Sequence, residues 1–129
     1  MRFSIRMTWP VAGALAVALA SNACATVPAP PPPQVPDGNP ARGAQLIEQF
    51  GCGSCHTVPG IRGADGLVGP PLTRFGARSY IAGELTNNAA NLQRWIRDPQ
   101  AVEPGTAMPN LGVSTVDAQD IAAYLFTLD

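Results

Sequence analysis

The densest chemistry in the chain is Cys52-Gly53-Ser54-Cys55-His56. Two thiols separated by two residues lie roughly one turn apart, so they can form thioethers to both vinyl groups of a single haem. The histidine that follows then presents its imidazole to the iron, and the motif reads as a c-type haem attachment site. Two other chemistries use paired cysteines. Zinc needs four ligands, and beyond these three residues the only further cysteine is Cys24, in a targeting segment. A redox-cycling dithiol expects the pair at the head of a helix in a βαβ setting, and no stretch here reads as β-rich. The dithiol oxidoreductase stays as the alternative from another functional class.

A low-spin haem takes two axial ligands. The chain has one histidine and three methionines, and Met1 and Met7 fall in the leader. His56 and Met108 are therefore the expected pair, with Pro109 holding Met108 extended. A ligating imidazole usually donates its other N–H to a carbonyl, and Pro70, in Gly69-Pro70-Pro71-Leu72, is the candidate acceptor. A simple turn is the other reading of those prolines. With both axial positions filled, a substrate has no route to the metal, which argues for electron transfer and against catalysis. Transfer is expected at an exposed haem edge near Cys52 and Cys55, ringed by Val58, Ile61 and Val102.

Ahead of this site, residues 1–23 read as a signal peptide. Arg2 and Arg6 precede an uninterrupted apolar run, Val11 to Ala20, too short for an independent membrane span. Export agrees with the motif, because c-type haem is attached outside the bacterial cytoplasm. Cys24 directly follows the leader, where a lipoprotein carries its acylated cysteine; a cut after Ala25 would instead trim it away. Residues 24–38 read as a proline-rich linker, six prolines falling within 26–38, a semi-rigid spacer reaching on the order of 40 Å at ~3.1 Å per residue. Net charge is −1, and removing 1–23 takes two arginines and no acid, leaving 6 basic against 9 acidic side chains. No lysine occurs, so there is no cationic footprint for nucleic acid.

The remainder, 39–129, must position the site, and its periodicity is helical. Asn39-Pro40 starts a helix whose Gly43, Leu46, Ile47 and Phe50 share a face, ended by Gly51. A glycine-punctuated loop runs from Thr57 to Gly69. Leu92, Trp95 and Ile96 share a face of a second helix, capped within Thr86 to Asn88 and stopped by Pro99. Pro99 to Gly112 reads as a stiff loop around Met108. Ser114 to Asp117 resembles a capping box, opening a last helix with Ile121, Tyr124, Leu125 and Leu128 on one face. That face is expected across the first helix, with Tyr124 near Gly43. About 90 residues make a marginal apolar core, which a haem would complete.

From Asn39 onward these pieces, in this order, resemble class I cytochrome c, and more closely the cytochrome c domain fused to subunit II of some bacterial haem–copper oxidases. The likeness rests on the Gly43 helix, Cys52-x-x-Cys55-His56, Gly69-Pro70-x-Leu72, Pro104 to Met108 and the aromatic-bearing last helix. It implies an all-α fold of short helices around one covalent haem c. It also implies a haem site of Cys52, Cys55, His56, Pro70, Leu72, Trp95 and Met108, with Arg78 and Thr106 at a haem propionate. Trp95 stands where mitochondrial cytochromes c have a tyrosine on the methionine sulfur, and Ala107 replaces a docking lysine. The function implied is a one-electron carrier of the periplasm, tethered through Cys24. Its expected acceptor is a terminal oxidase, and its donor a membrane quinol-oxidising complex or dehydrogenase. A haem c subunit of an exported dehydrogenase is the neighbouring alternative.

Overall fold

The computed structural model describes residues 34–129; the leader 1–23, Cys24 and most of the linker lie outside the described residues. Helix α1 (Pro40–Gln49) begins where its sequence dictates. The Asn39 side chain accepts the Arg42 N–H at 3.0 Å, and Pro40 fills the first turn, where a missing N–H costs nothing. Gly43, Leu46 and Ile47 turn inward, and the chain leaves the helix through Gly51, whose φ is +67°.

The last helix, α4 (Thr115–Leu125), is started by Ser114. Its hydroxyl accepts the Asp117 N–H at 3.1 Å and donates to the Asp117 carboxylate at 2.7 Å. That bond, with Arg42 beside it, holds the Asp117 carboxyl below its ordinary range. Ala118, Ile121, Ala122, Ala123 and Leu125 are all buried, so α4 is enclosed on most sides.

Helices α1 and α4 cross at Gly43, where a Cβ would stand 2.1 Å from the Asp120 carbonyl oxygen and 3.0 Å from Tyr124 Cβ. The absent side chain lets the two backbones touch. Beside the crossing, the buried carboxylate of Asp120 accepts the Asn39 N–H at 2.8 Å and binds the Arg42 guanidinium, which also reaches Asp117. Asp120 therefore serves the N-terminus of α1 from across the interface, where the helix dipole favours an anion. Truncating it would remove charge-assisted hydrogen bonds to the Asn39 N–H and the Arg42 guanidinium, the first worth about 1.5–3 kcal/mol at most.

Helix α2 (Ala89–Arg97) is capped by Asn88, whose side chain accepts the Asn91 N–H at 2.9 Å. Leu92 and Ile96 are buried, Trp95 partly so, and the helix packs on α4. Between α1 and α2, Phe75 is buried edge-on to Phe126, ring centroids 6.1 Å apart. Among the described residues no helix is long and apolar enough to cross a membrane.

Three features depart from the sequence reading. Strands β1 (Tyr80–Ile81) and β2 (Leu85–Thr86) form an antiparallel hairpin, pairing Tyr80 with Thr86 and Ile81 with Leu85. Pro99 to Gly112 is not wholly loop, since α3 (Pro99–Val102) opens it, with the Asp98 side chain accepting the Ala101 N–H at 3.2 Å. Val35, in the stretch read as linker, is buried, and the next turn puts Gly38 against Ala123 of α4. Among the described residues, packing thus already includes Val35, because an apolar side chain at the foot of α1 has a core to enter.

Candidate functional site

Past Gly51 the chain winds into a 3₁₀ turn, Cys52–Ser54, and the His56 N–H donates to the Cys52 carbonyl at 3.0 Å. This turn places both thiols and the imidazole on one short stretch of backbone. Cys52 and Cys55 are unpaired thiols, each partly exposed. Burial pushes the Cys52 thiol above its ordinary pKa, which disfavours the thiolate that a dithiol oxidoreductase needs. Among the described residues no three His, Cys, Asp or Glu side chains converge as a metal cage requires.

His56 Nδ1 lies 2.8 Å from the Pro70 carbonyl oxygen. A carbonyl oxygen can only accept, so Nδ1 carries the hydrogen, and in the neutral ring the lone pair lies on Nε2. The ring lies close against Gly69, where a Cβ would stand 2.3 Å from Cε1 and 2.6 Å from Nδ1. Gly69 is held there because its N–H donates to the Cys55 carbonyl at 2.8 Å.

The glycine-punctuated loop folds back over the motif. Gly66 donates to the Gly53 carbonyl at 3.0 Å, Val58 to Ala64 at 3.0 Å, and Leu72 to Thr57 at 2.8 Å. Tyr124, through a 2.6 Å bond from its hydroxyl to the Pro59 carbonyl, ties the loop to α4. Folding this way buries Val58, which is 2 % exposed and cannot ring an exposed edge. Within this loop, Leu67 and Val68, immediately before Gly69, face outward, 85 % and 76 % exposed.

The other residues fall into three groups. Leu72 and Trp95 are partly buried against the core. Arg78 gives one amino nitrogen to the carbonyls of Pro71 and Thr73 and stacks over Phe75 at 5.4 Å, which uses only part of its five N–H groups. Asn87 holds the same segment by donating to the Phe75 and Arg78 carbonyls at 2.9 and 3.0 Å. Thr106 and Met108, both partly buried, share the loop after α3. The side-chain amide of Gln100 holds that loop, donating to the carbonyls of Thr106 at 2.7 Å and Met108 at 3.0 Å and accepting the Gly105 N–H at 3.1 Å.

Sequence reasoning missed Gln100, Asn87 and Asp120. Each is a polar residue whose partners lie at separations that no periodicity marks. Gly69 was legible only as part of a turn, although a glycine directly before the proline proposed as histidine partner signals a close approach.

The residues present fit a covalently held haem. Two unpaired thiols flank a turn that ends in an imidazole of fixed tautomer, with its lone-pair nitrogen available, and Gly69 leaves room for the ring. Residues 40–129 match the family described as Cytochrome c. The chain is 43 % identical over 88 residues to cytochrome c oxidase subunit 2 of Alkalihalophilus pseudofirmus, across 67 % of this chain and 25 % of that one. Against cytochrome c oxidase subunit 2 of Bacillus subtilis the identity is 32 % over 85 residues, covering 64 % and 24 %. It is also 32 % identical over 103 residues to cytochrome c of Theileria annulata, across 70 % of this chain and 87 % of that one. The chain thus spans about a quarter of the length of the oxidase subunits it matches.

Proposed function

Because this chain belongs to the cytochrome c family, whose members carry covalent haem c and transfer electrons, we propose a specific carrier role for it. It holds one haem c and works as a one-electron carrier in the periplasm, delivering electrons to a terminal oxidase. The observation that supports this reading is the 2.8 Å contact of His56 Nδ1 with the Pro70 carbonyl, which leaves Nε2 free to bind a metal beside two unpaired thiols.

When bound, the haem supplies reversible cycling of its iron between Fe(III) and Fe(II). Cys52 and Cys55 would hold it through thioethers, and His56 Nε2 and the Met108 sulfur would bind its iron. Pro70 keeps His56 in one tautomer and orientation, raising its basicity as a ligand. Leu72 and Trp95 would pack along it, and the remaining N–H groups of Arg78 and the Thr106 hydroxyl would serve a propionate. Leu67 and Val68, beside Gly69, offer the apolar contact for a redox partner. An oxidase as acceptor is supported by the likeness of this domain to part of cytochrome c oxidase subunit 2. The donor is a membrane quinol-oxidising complex or a dehydrogenase.

Residues 1–23 direct export, and Cys24, acylated, tethers the domain to a membrane through the linker. Labelling cells with a radioactive fatty acid tests the tether: label is expected on the wild type and not on Cys24→Ser, and an unlabelled wild type would remove the anchor. The haem itself is tested by intact mass and by reduced-minus-oxidised spectra of the exported protein. The wild type should carry the mass of one haem, and Cys52→Ser/Cys55→Ser none. A wild-type mass equal to the bare polypeptide would sink the reading.

A further inference from the structure

We propose that Gln100 is the positioning residue that keeps Met108 on the iron. The proposal rests on the reading of Met108 as axial ligand and adds what holds that ligand in place. The segment 103–113, between α3 and the start of α4, contains no regular element. Val113, at its far end, is buried in the core, and the rest of the segment is held by whatever hydrogen bonds reach it from outside. Among the described residues, those hydrogen bonds are the Glu103 N–H to the Pro99 carbonyl, which continues α3, and the three made by the Gln100 amide.

The geometry of those three bonds is specific. Both N–H bonds of the Gln100 amide are used, one on the carbonyl of Met108 itself and one on that of Thr106, while Oε1 takes the Gly105 N–H. Gly105, Thr106 and Met108 are thus drawn onto one planar group. That group stands on a firm base, because Pro99, its neighbour in α3, is fully buried and Asp98 caps the turn. The loop can carry its methionine away from the metal only by breaking this set of bonds. Gln100 therefore governs how often the sixth coordination position opens, without itself touching the haem.

Two substitutions isolate the effect. Gln100→Leu keeps the volume and removes every bond. Gln100→Glu keeps the shape and the acceptor for Gly105, but sets a carboxylate against two carbonyl oxygens. The probe is imidazole, mixed with the ferric holoprotein, with the rate of its binding followed in the Soret region. The near-infrared band of Fe(III)–methionine is recorded alongside, and far-UV circular dichroism confirms the fold. Both variants should bind imidazole about tenfold faster than the wild type, as expected when roughly one net hydrogen bond's worth of loop closure is lost. Their Fe(III)–methionine band should weaken, while the helical signal and haem content stay unchanged.

Wild-type rates with an intact band in either folded variant would overturn the clamp. Met108→Ala, measured in parallel, separates this from the underlying reading. If the wild type lacks the band, or if Met108→Ala keeps it, then Met108 is not the ligand, and the role proposed for Gln100 falls with it. If Met108→Ala loses the band and binds imidazole fast while the Gln100 variants behave as wild type, only the clamp is wrong.

Discussion

In a Met108→Ala variant the Fe(III)–methionine band should vanish and the reduction potential should fall by roughly 100 mV or more, given that axial ligands set haem potentials over about 0.8 V. The sign follows from the ligand. A thioether is soft and neutral and favours Fe(II), so its loss stabilises Fe(III) relative to Fe(II), each 59 mV amounting to about a tenfold change in that balance. The fold should survive, because Met108 sits partly buried on a loop rather than among the core side chains of α1, α2 and α4. Water or added imidazole would take the open position, giving a high-spin ferric spectrum in the first case. Potentiometry and the visible spectrum of purified holoprotein check this. A potential and spectrum matching the wild type would take Met108 out of the site and require another group as sixth ligand.

What could be read from the sequence was local, or was forced by a single residue. Asn39 and Pro40 announce α1 because cap and first-turn preferences act within three residues, and the 3.0 Å bond from Arg42 to Asn39 is that preference realised. Gly43 foretold a backbone contact because a glycine on an apolar face has nothing to bury, and Asp120 and Tyr124 of α4 occupy the space. Other features carry no local signal. The β1–β2 hairpin pairs two residues with two, too few for alternation to register. Helix α3 is four residues long and lies behind a proline that also ends α2. Val58 stands alone in a glycine-rich loop, and only the folding of that loop, through Val58 N–H to the Ala64 carbonyl, takes it inside. Val35 stands among prolines and is buried by an α4 more than eighty residues later, as Gly38 against Ala123 shows. The candidate ligands could be named from residue type and order alone, because Cys52-x-x-Cys55-His56 and a lone mature methionine are local signals. The site was illegible in its supports, Gln100 and Asn87, whose amides reach carbonyls at distances set by tertiary structure alone.

Gly69→Ala should be the single-methyl change that most directly disturbs the aim of His56. The added Cβ would stand 2.3 Å from His56 Cε1, 2.6 Å from Nδ1 and 2.9 Å from Nε2, so either the ring or the Gly69 backbone has to move. The backbone is pinned by the Gly69 N–H to the Cys55 carbonyl at 2.8 Å, and the ring by its 2.8 Å bond to the next carbonyl, that of Pro70. Relief therefore breaks one of the two bonds that aim Nε2. Overpacking of this kind costs about 1–3 kcal/mol, and in a domain of this size each kilocalorie lowers the melting temperature by about 4–8 °C. The haem yield should fall as well, with a ferric spectrum shifted from the wild type because the imidazole no longer meets the metal squarely. Gly63→Ala is the control. Gly63 has φ +73° and no atom within 4 Å of an added Cβ, so that change should bring only the backbone strain of a left-handed alanine, about 1–2 kcal/mol, and leave the spectrum intact. Equal melting temperatures and identical spectra for the two variants would mean that the imidazole is not seated on Gly69, and that the orientation of His56 is set elsewhere. A shifted spectrum in Gly69→Ala alone would tie ligand geometry to that one missing methyl group, and separate the cost of aiming the histidine from the cost of bending the loop.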